Sequence, residues 1–189
     1  MGNQTAGARM AFGLAALLVL SAMIVGEAAS AETPTMGKSG IEMQSFGDGG
    51  TITRGMMFGM RTQRYLDHSQ ANLGLEFMAG SPQGGRLSDD HLTYGGITFG
   101  YDGTFGTIFS YDFSLLGGYG FGRVDALGLN GVSFTAQPTI ALGLTLIDGY
   151  RASFAVGYLY MPSAPGFDHF TFGIRLEQKS DSYSNGVNY

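Results

Sequence analysis

The chain has 189 residues, enough for one ordinary domain, with 32 glycines, no cysteine and a net charge of −5. Only 13% of it is charged, against about 25% in soluble domains. The acidic balance argues against a nucleic-acid-binding face, and the lack of cysteine excludes disulfides, thiolate metal sites and a cysteine-linked lipid anchor.

Residues 1–31 read as a signal peptide. Arg9 gives a basic start, Ala11 to Gly26 is a continuous apolar run, and Ala29, Ser30 and Ala31 supply the small residues of a cleavage site. The apolar run is short for a spanning helix, which needs about 20 residues. Cleavage after Ala31 is expected. Residues 32–180 would form the folded unit, and the polar stretch 181–189 is either a tail or the final strand.

The folded unit alternates at period two, the signature of strands. A weak first strand lies at 40–46, and "GDGG" makes a short connection to the next. Met56, Phe58 and Met60 then oppose Gly55, Gly59 and Arg61. Leu73, Leu75 and Phe77 oppose Asn72, Gly74 and Glu76. In "HLTYGGITFGY" (91–101), Leu92 and Tyr94 fall out of phase with Ile97, Phe99 and Tyr101, and a bulge would absorb the slip. Asp102 to Thr104 reads as a hairpin turn. The run 105–124 sets Phe109, Tyr111, Phe113, Leu115, Tyr119 and Phe121 against Ser110, Asp112, Ser114, Gly118, Gly120 and Gly122. Residues 134–146 form a sixth strand, where Pro138 predicts a bulge or a strained spot. Asp148 and Gly149 make a tight turn into 150–160, and 169–177 is the last clear strand. Longer loops are expected at 81–90, 125–131 and 161–168.

These eight segments predict an all-β, antiparallel, up-and-down barrel. The faces opposite the large apolar residues carry mostly Gly, Ser, Thr and Ala, whereas a water-exposed face would be rich in charge. Small polar residues suit the interior of a narrow barrel whose apolar face meets lipid, which makes the fold a transmembrane β-barrel. On that reading Arg61, Glu76, Asp112, Arg151, Arg175 and Glu177 point inward, three cations balancing three carboxylates. They would form either a charged gate or a salt-bridge network that plugs the barrel. Asp112 in particular is expected to find an arginine. Tyr101, Tyr119, Tyr150, Tyr158 and Tyr160 lie near strand ends and are candidates for the interfacial girdles. Arg54, out of phase with its neighbours, would reach the headgroup region.

The signal peptide, dyad runs such as "FSYDFSLLGGYGFGRV" and "RASFAVGYLYMP", and the alternation of short turns with longer loops resemble the small outer-membrane β-barrel class, to which the OmpA membrane domain and OmpX belong. The resemblance covers about 38–179 and implies an eight-stranded barrel in the cell outer membrane. It also implies contact with membrane lipids and with the assembly machinery, which in this class reads a terminal aromatic residue. Tyr189 ends the chain, with Val187 and Tyr183 in the same phase. If 181–189 were the final strand, "GIEMQSF" would be no strand and loops and turns would exchange ends.

Some members of the class modify lipids with His, Ser and a carboxylate. The nearest arrangement here, His169 and Thr171 beside Asp168, lacks the serine. His68, His91 and His169 are too scattered to suggest a metal site. No cofactor is expected. The leading expectation is a monomer with a structural or surface-interaction role through its longer loops. A narrow channel, a lipid-modifying enzyme and a soluble secreted barrel around an apolar ligand are the alternatives.

Overall fold

A computed structural model describes residues 37–46, 55–66, 69–82, 90–125, 128–146 and 149–180. Residues 1–31, Arg54, His68, Asp148 and 181–189 lie outside them. The strands are β1 (Gly37–Phe46), β2 (Gly55–Tyr65), β3 (Ala71–Pro82), β4 (Asp90–Phe105), β5 (Phe109–Val124), β6 (Leu129–Thr145), β7 (Tyr150–Leu159) and β8 (His169–Ser180). Each pairs antiparallel with its neighbours in sequence, and β1 pairs with β8, closing an up-and-down barrel. The chain is therefore an all-β, antiparallel, eight-stranded barrel. Closure matters because an open sheet edge in lipid would leave backbone N–H and C=O groups without partners.

The strand ends Tyr65 and Ala71, Phe105 and Phe109, and Thr145 and Tyr150 lie at one end, the turn end, together with Gly37 and Ser180. The strand ends Phe46 and Gly55, Pro82 and Asp90, Val124 and Leu129, and Leu159 and His169 lie at the other, the loop end. The short "GDGG" connection read from sequence lies outside the described residues. The other loop spans shrink: Ser81 and Pro82 belong to β3, Asp90 to β4, and 129–131 to β6. Each is drawn into the ladder by one neighbouring strand: Ser81 and Pro82 by β2, Asp90 by Val124 of β5, and 129–131 by β5.

The alternation is inverted relative to a soluble barrel. Ile97, Leu115, Ile140, Phe154 and Ile174 point outward and are more than half exposed, whereas Glu42, Thr98, Asp112, Gln137 and Arg175 are buried inside. An apolar belt around a polar interior suits a hydrocarbon solvent rather than water.

Three local expectations are corrected. The β4–β5 register runs unbroken from Asp90↔Val124 to Phe105↔Phe109, so the expected bulge at 92–97 is not formed. Leu92 and Tyr94 are in phase with Thr98 and face the interior, both almost fully buried. The expected turn at Asp102–Thr104 is part of β4. The chain reverses at 106–108 instead, with Gly106 at φ +65°, a conformation glycine adopts without cost. Pro138 causes no bulge, because the β5–β6 register passes through Leu115↔Pro138 without a shift. Its missing N–H faces β7, where the ladder covers Thr139–Thr145 and resumes only at the bridge Ala136↔Tyr160.

Candidate functional site

The interior divides into two halves along the barrel. The turn half is ionic. Lys38 Nζ of β1 lies 2.6 Å from Asp112 Oδ2 of β5, and in a ring of eight strands β1 and β5 are opposite walls. Lys179 Nζ of β8 reaches Asp102 Oδ2 of β4, again opposite, at 3.7 Å. Arg175 donates from Nε to Glu42 Oε2 at 2.5 Å and from Nη1 to Asp112 Oδ1 at 3.2 Å. Arg61 sits among Asp112 (3.6 Å), Glu177 (3.6 Å) and Glu76 (3.9 Å). Asp102 accepts from Asn72 Nδ2 at 2.8 Å, Tyr65 Oη at 2.9 Å and Arg151 Nη1 at 3.1 Å.

The six charged residues read from sequence, Arg61, Glu76, Asp112, Arg151, Arg175 and Glu177, are thus all buried in one network. Lys38, Glu42, Asp102 and Lys179 join it, giving five cations and five carboxylates among the described residues. Buried ions are tolerated when their charges balance, and Arg61 is held here by charge rather than by hydrogen bonds, its guanidinium making none among the described residues. Lys38 and Glu42 had a visible signal: they alternate with Gly40 and Gln44 in the dyad phase of β1, which starts three residues earlier than read. Asp102 was hidden by the Asp-Gly turn signal.

Above the ions lies a neutral layer. Gln44 Oε1 accepts from Tyr94 Oη at 2.8 Å and from Gln137 Nε2 at 3.3 Å, and Gln137 also donates to Thr171 Oγ1 at 3.0 Å.

The loop half is apolar. Phe46, Met57, Met78, Leu92, Val124, Leu159 and Met161 pack into a cluster inside the barrel mouth. The β7–β8 connection covers it. Ala164 and Phe167, on a 3-10 turn at Pro165–Phe167, are buried in the cluster. Asp168 Oδ1 accepts from the Met161 N–H at 2.6 Å, and Ser163 N–H donates to Ser133 Oγ at 3.0 Å. Gly122 makes room for this cap: a Cβ there would lie 2.5 Å from the Phe167 ring. The segment 161–168, expected as an exposed loop, is therefore largely a lid, exposed at Pro162, Ser163 and Pro165 and turned inward at its apolar residues. Burying Phe167 and Met161 stabilises by about 1.5–3 kcal/mol per side chain, which explains why the loop folds in.

His169, Asp168 and Thr171 each engage a different partner. His169 Nδ1 meets the Phe167 carbonyl at 2.5 Å and its ring packs edge-on to Phe46 at 4.0 Å. Asp168 is engaged by Met161 and Thr171 by Gln137. His91 faces outward beside Phe121, ring centroids 5.7 Å apart.

On the outer surface Tyr101 and Tyr150 lie at the turn end, where Tyr111 stands beside Tyr101 (6.4 Å) and Phe105 (4.9 Å). Tyr119, Tyr158 and Tyr160 lie at the loop end, with Tyr119 against Phe134 (6.1 Å) and Tyr158 against Phe170 (5.0 Å). Two aromatic groups thus bracket the apolar belt.

No family model and no curated protein matches the chain by sequence. Solved structures do match. Neisserial surface protein A superposes with a TM-score of 0.57 at 8% identity, over 79% of this chain and 97% of that one. Ail, the attachment invasion locus protein of Yersinia pestis, gives 0.52 at 11% identity, over 79% and 99%. Ail in complex with the heparin analogue sucrose octasulfate gives 0.52 at 10%, over 78% and 100%. At these identities the likeness is one of fold, and together with the closed eight-stranded sheet it gives the chain the fold of the small outer-membrane β-barrel class.

Proposed function

We propose that the protein is an outer-membrane β-barrel that does not conduct, and that it meets its partners through its loop-end surface. The observation that carries this reading is the contact of opposite walls. Lys38 and Asp112 touch across the axis at 2.6 Å, so a permeating ion would have to break buried charge pairs there. It would then meet the apolar cluster beneath the 161–168 lid, where an ion finds no replacement for its hydration shell. A plugged interior leaves the outward surface as the part available to a partner.

The apolar belt between two aromatic groups supports membrane placement. The apolar run Ala11 to Gly26 and the Ala29-Ser30-Ala31 site support export and cleavage after Ala31. The closed sheet, whose outward face suits lipid around its whole girth, supports a monomer.

Two measurements test the reading. In detergent the folded protein should migrate faster on unheated gels than after boiling, and recovery from the periplasm without detergent would overturn membrane placement. In planar bilayers the purified barrel should give no conductance steps; discrete, reproducible steps would overturn the plug.

A further inference from the structure

β6 is paired on both sides over only part of its length. Its ladder with β5 is continuous from Leu129↔Val124 to Leu144↔Phe109. On the other side, pairing with β7 ends at the bridge Ala136↔Tyr160. Continued in that register, Phe134 would face residue 162, which is a proline and has no N–H to give. The chain turns away at Pro162 and Ser163 and folds into the lid.

Among the described residues the stretch Asn130–Phe134 is left as a sheet edge. Ala136 exchanges both of its backbone bonds with Tyr160, at 3.0 and 2.9 Å. Asn130, Val132 and Phe134 share its phase, so their N–H and C=O groups point to the same side, while the alternate residues bond β5. Among the described residues the bond made at this edge is that of Ser133 Oγ, donating to the Phe134 carbonyl at 2.8 Å. The outward side chains are apolar: Val132 is 69% exposed, Tyr119 71% and Phe134 48%. Edge strands are commonly blunted by lysine, proline or a bulge. Residues 129–135 (LNGVSFT) contain no charge and no proline, and their register with β5 has no bulge.

We propose that this edge receives an extended segment of a partner protein as an added strand, antiparallel to β6, held by main-chain hydrogen bonds to Asn130, Val132 and Phe134. The segment would be uncharged where it pairs and would lay apolar side chains beside Val132 and the Tyr119–Phe134 pair, since a charge opposite them would lose hydration without gaining a partner. A second copy does not suit the edge. Two barrels inserted the same way bring their β6 strands together running in the same direction, not antiparallel. The proposal rests on the loop-end surface being the working face.

The test uses the full barrel in phospholipid nanodiscs and a fluorescein-labelled peptide, Thr-Val-Thr-Val-Thr-Val-Thr with two terminal lysines. In the free barrel the Val132 and Phe134 amides should exchange with solvent about 100-fold faster than those of Ser133 and Thr135, which are bonded to β5. Adding the peptide should protect Val132 and Phe134. Val132→Pro removes an N–H that faces away from β5, as Pro138 already does in the same phase, and should weaken peptide binding about tenfold or more. Val132→Thr should keep it, and a peptide N-methylated at alternate residues should not bind. Equal protection of the four amides in the free barrel would overturn the proposal. So would failure of the peptide to bind the unmodified barrel, or equal binding to Val132→Pro. The exchange measurement needs no variant, so it decides even if Val132→Pro fails to fold. Silent bilayers with no peptide binding would sink this proposal and leave the plugged barrel standing; conductance steps with intact binding would do the reverse.

Discussion

Lys38 and Asp112 are 74 residues apart in the chain and 2.6 Å apart at the barrel axis. Asp112 also receives Arg175 at 3.2 Å and faces Arg61 at 3.6 Å, so three cations share one carboxylate. Asp112→Asn should therefore destabilise the barrel by about 3–5 kcal/mol, because it leaves buried positive charge without its counterion. Urea unfolding in detergent reads this. Lys38→Met combined with Asp112→Leu keeps the charges balanced and should cost less than Asp112→Leu alone. A double variant as unstable as the sum of its singles would mean that the pair is not coupled.

An exposed ion pair gives the contrast. Arg123 and Asp125 meet at 2.5 Å at the loop end, with side chains 39% and 53% exposed. Asp125→Asn should change stability by less than about 1 kcal/mol, and less still in high salt, because water screens both charges. A loss comparable with that of Asp112→Asn would contradict the division between interior and rim.

Depth in the membrane can be read with one substitution at two levels. Leu115→Arg places a cation in the apolar belt, between Phe99 and Pro138 on the neighbouring strands, and should cost about 2–4 kcal/mol on folding into lipid vesicles. Val132→Arg, beyond the Tyr119–Phe134 group, should cost about 0–1 kcal/mol. Equal costs at the two sites would remove the distinction between belt and rim.

The lid depends on one missing methyl group. Gly122→Val would put a side chain where the Phe167 ring sits, forcing the ring outward at a cost of about 1–3 kcal/mol. The expected sign is faster proteolysis within 160–168 while the barrel stays folded, with Gly122→Ala intermediate. Unchanged cleavage in both variants would show that Phe167 is not what holds the lid.

Strand phase was legible because it is written locally. In "FSYDFSLLGGYGFGRV" every second residue from Phe109 faces out, and Asp112 lies inside beside Arg175. Contacts that override a local signal were not legible. Asp102-Gly103 has the chemistry of a tight turn, yet Asp102 is strand because Asn72, Tyr65 and Arg151 all reach its carboxylate from other strands. Leu92 and Tyr94 read as out of phase only when an apolar residue is equated with an outward one. Here the loop-end interior is apolar too, filled from β1, β2, β3 and the lid. The lid reads as a loop from its prolines, while Met161, Ala164 and Phe167, which anchor it, recur every third residue, a 3-10 spacing too brief to stand out in the sequence.

The ionic half of the interior also bears on how the barrel assembles. Glu42 and Arg175 are separated by 133 residues, and Asp112 and Arg175 by 63. None of these contacts can form within a single hairpin, and Glu42 meets Arg175 only when β1 docks on β8. Their stabilisation therefore arrives in the last step of a slow, high-contact-order process, making a half-closed sheet a poor resting state and closure close to all-or-none.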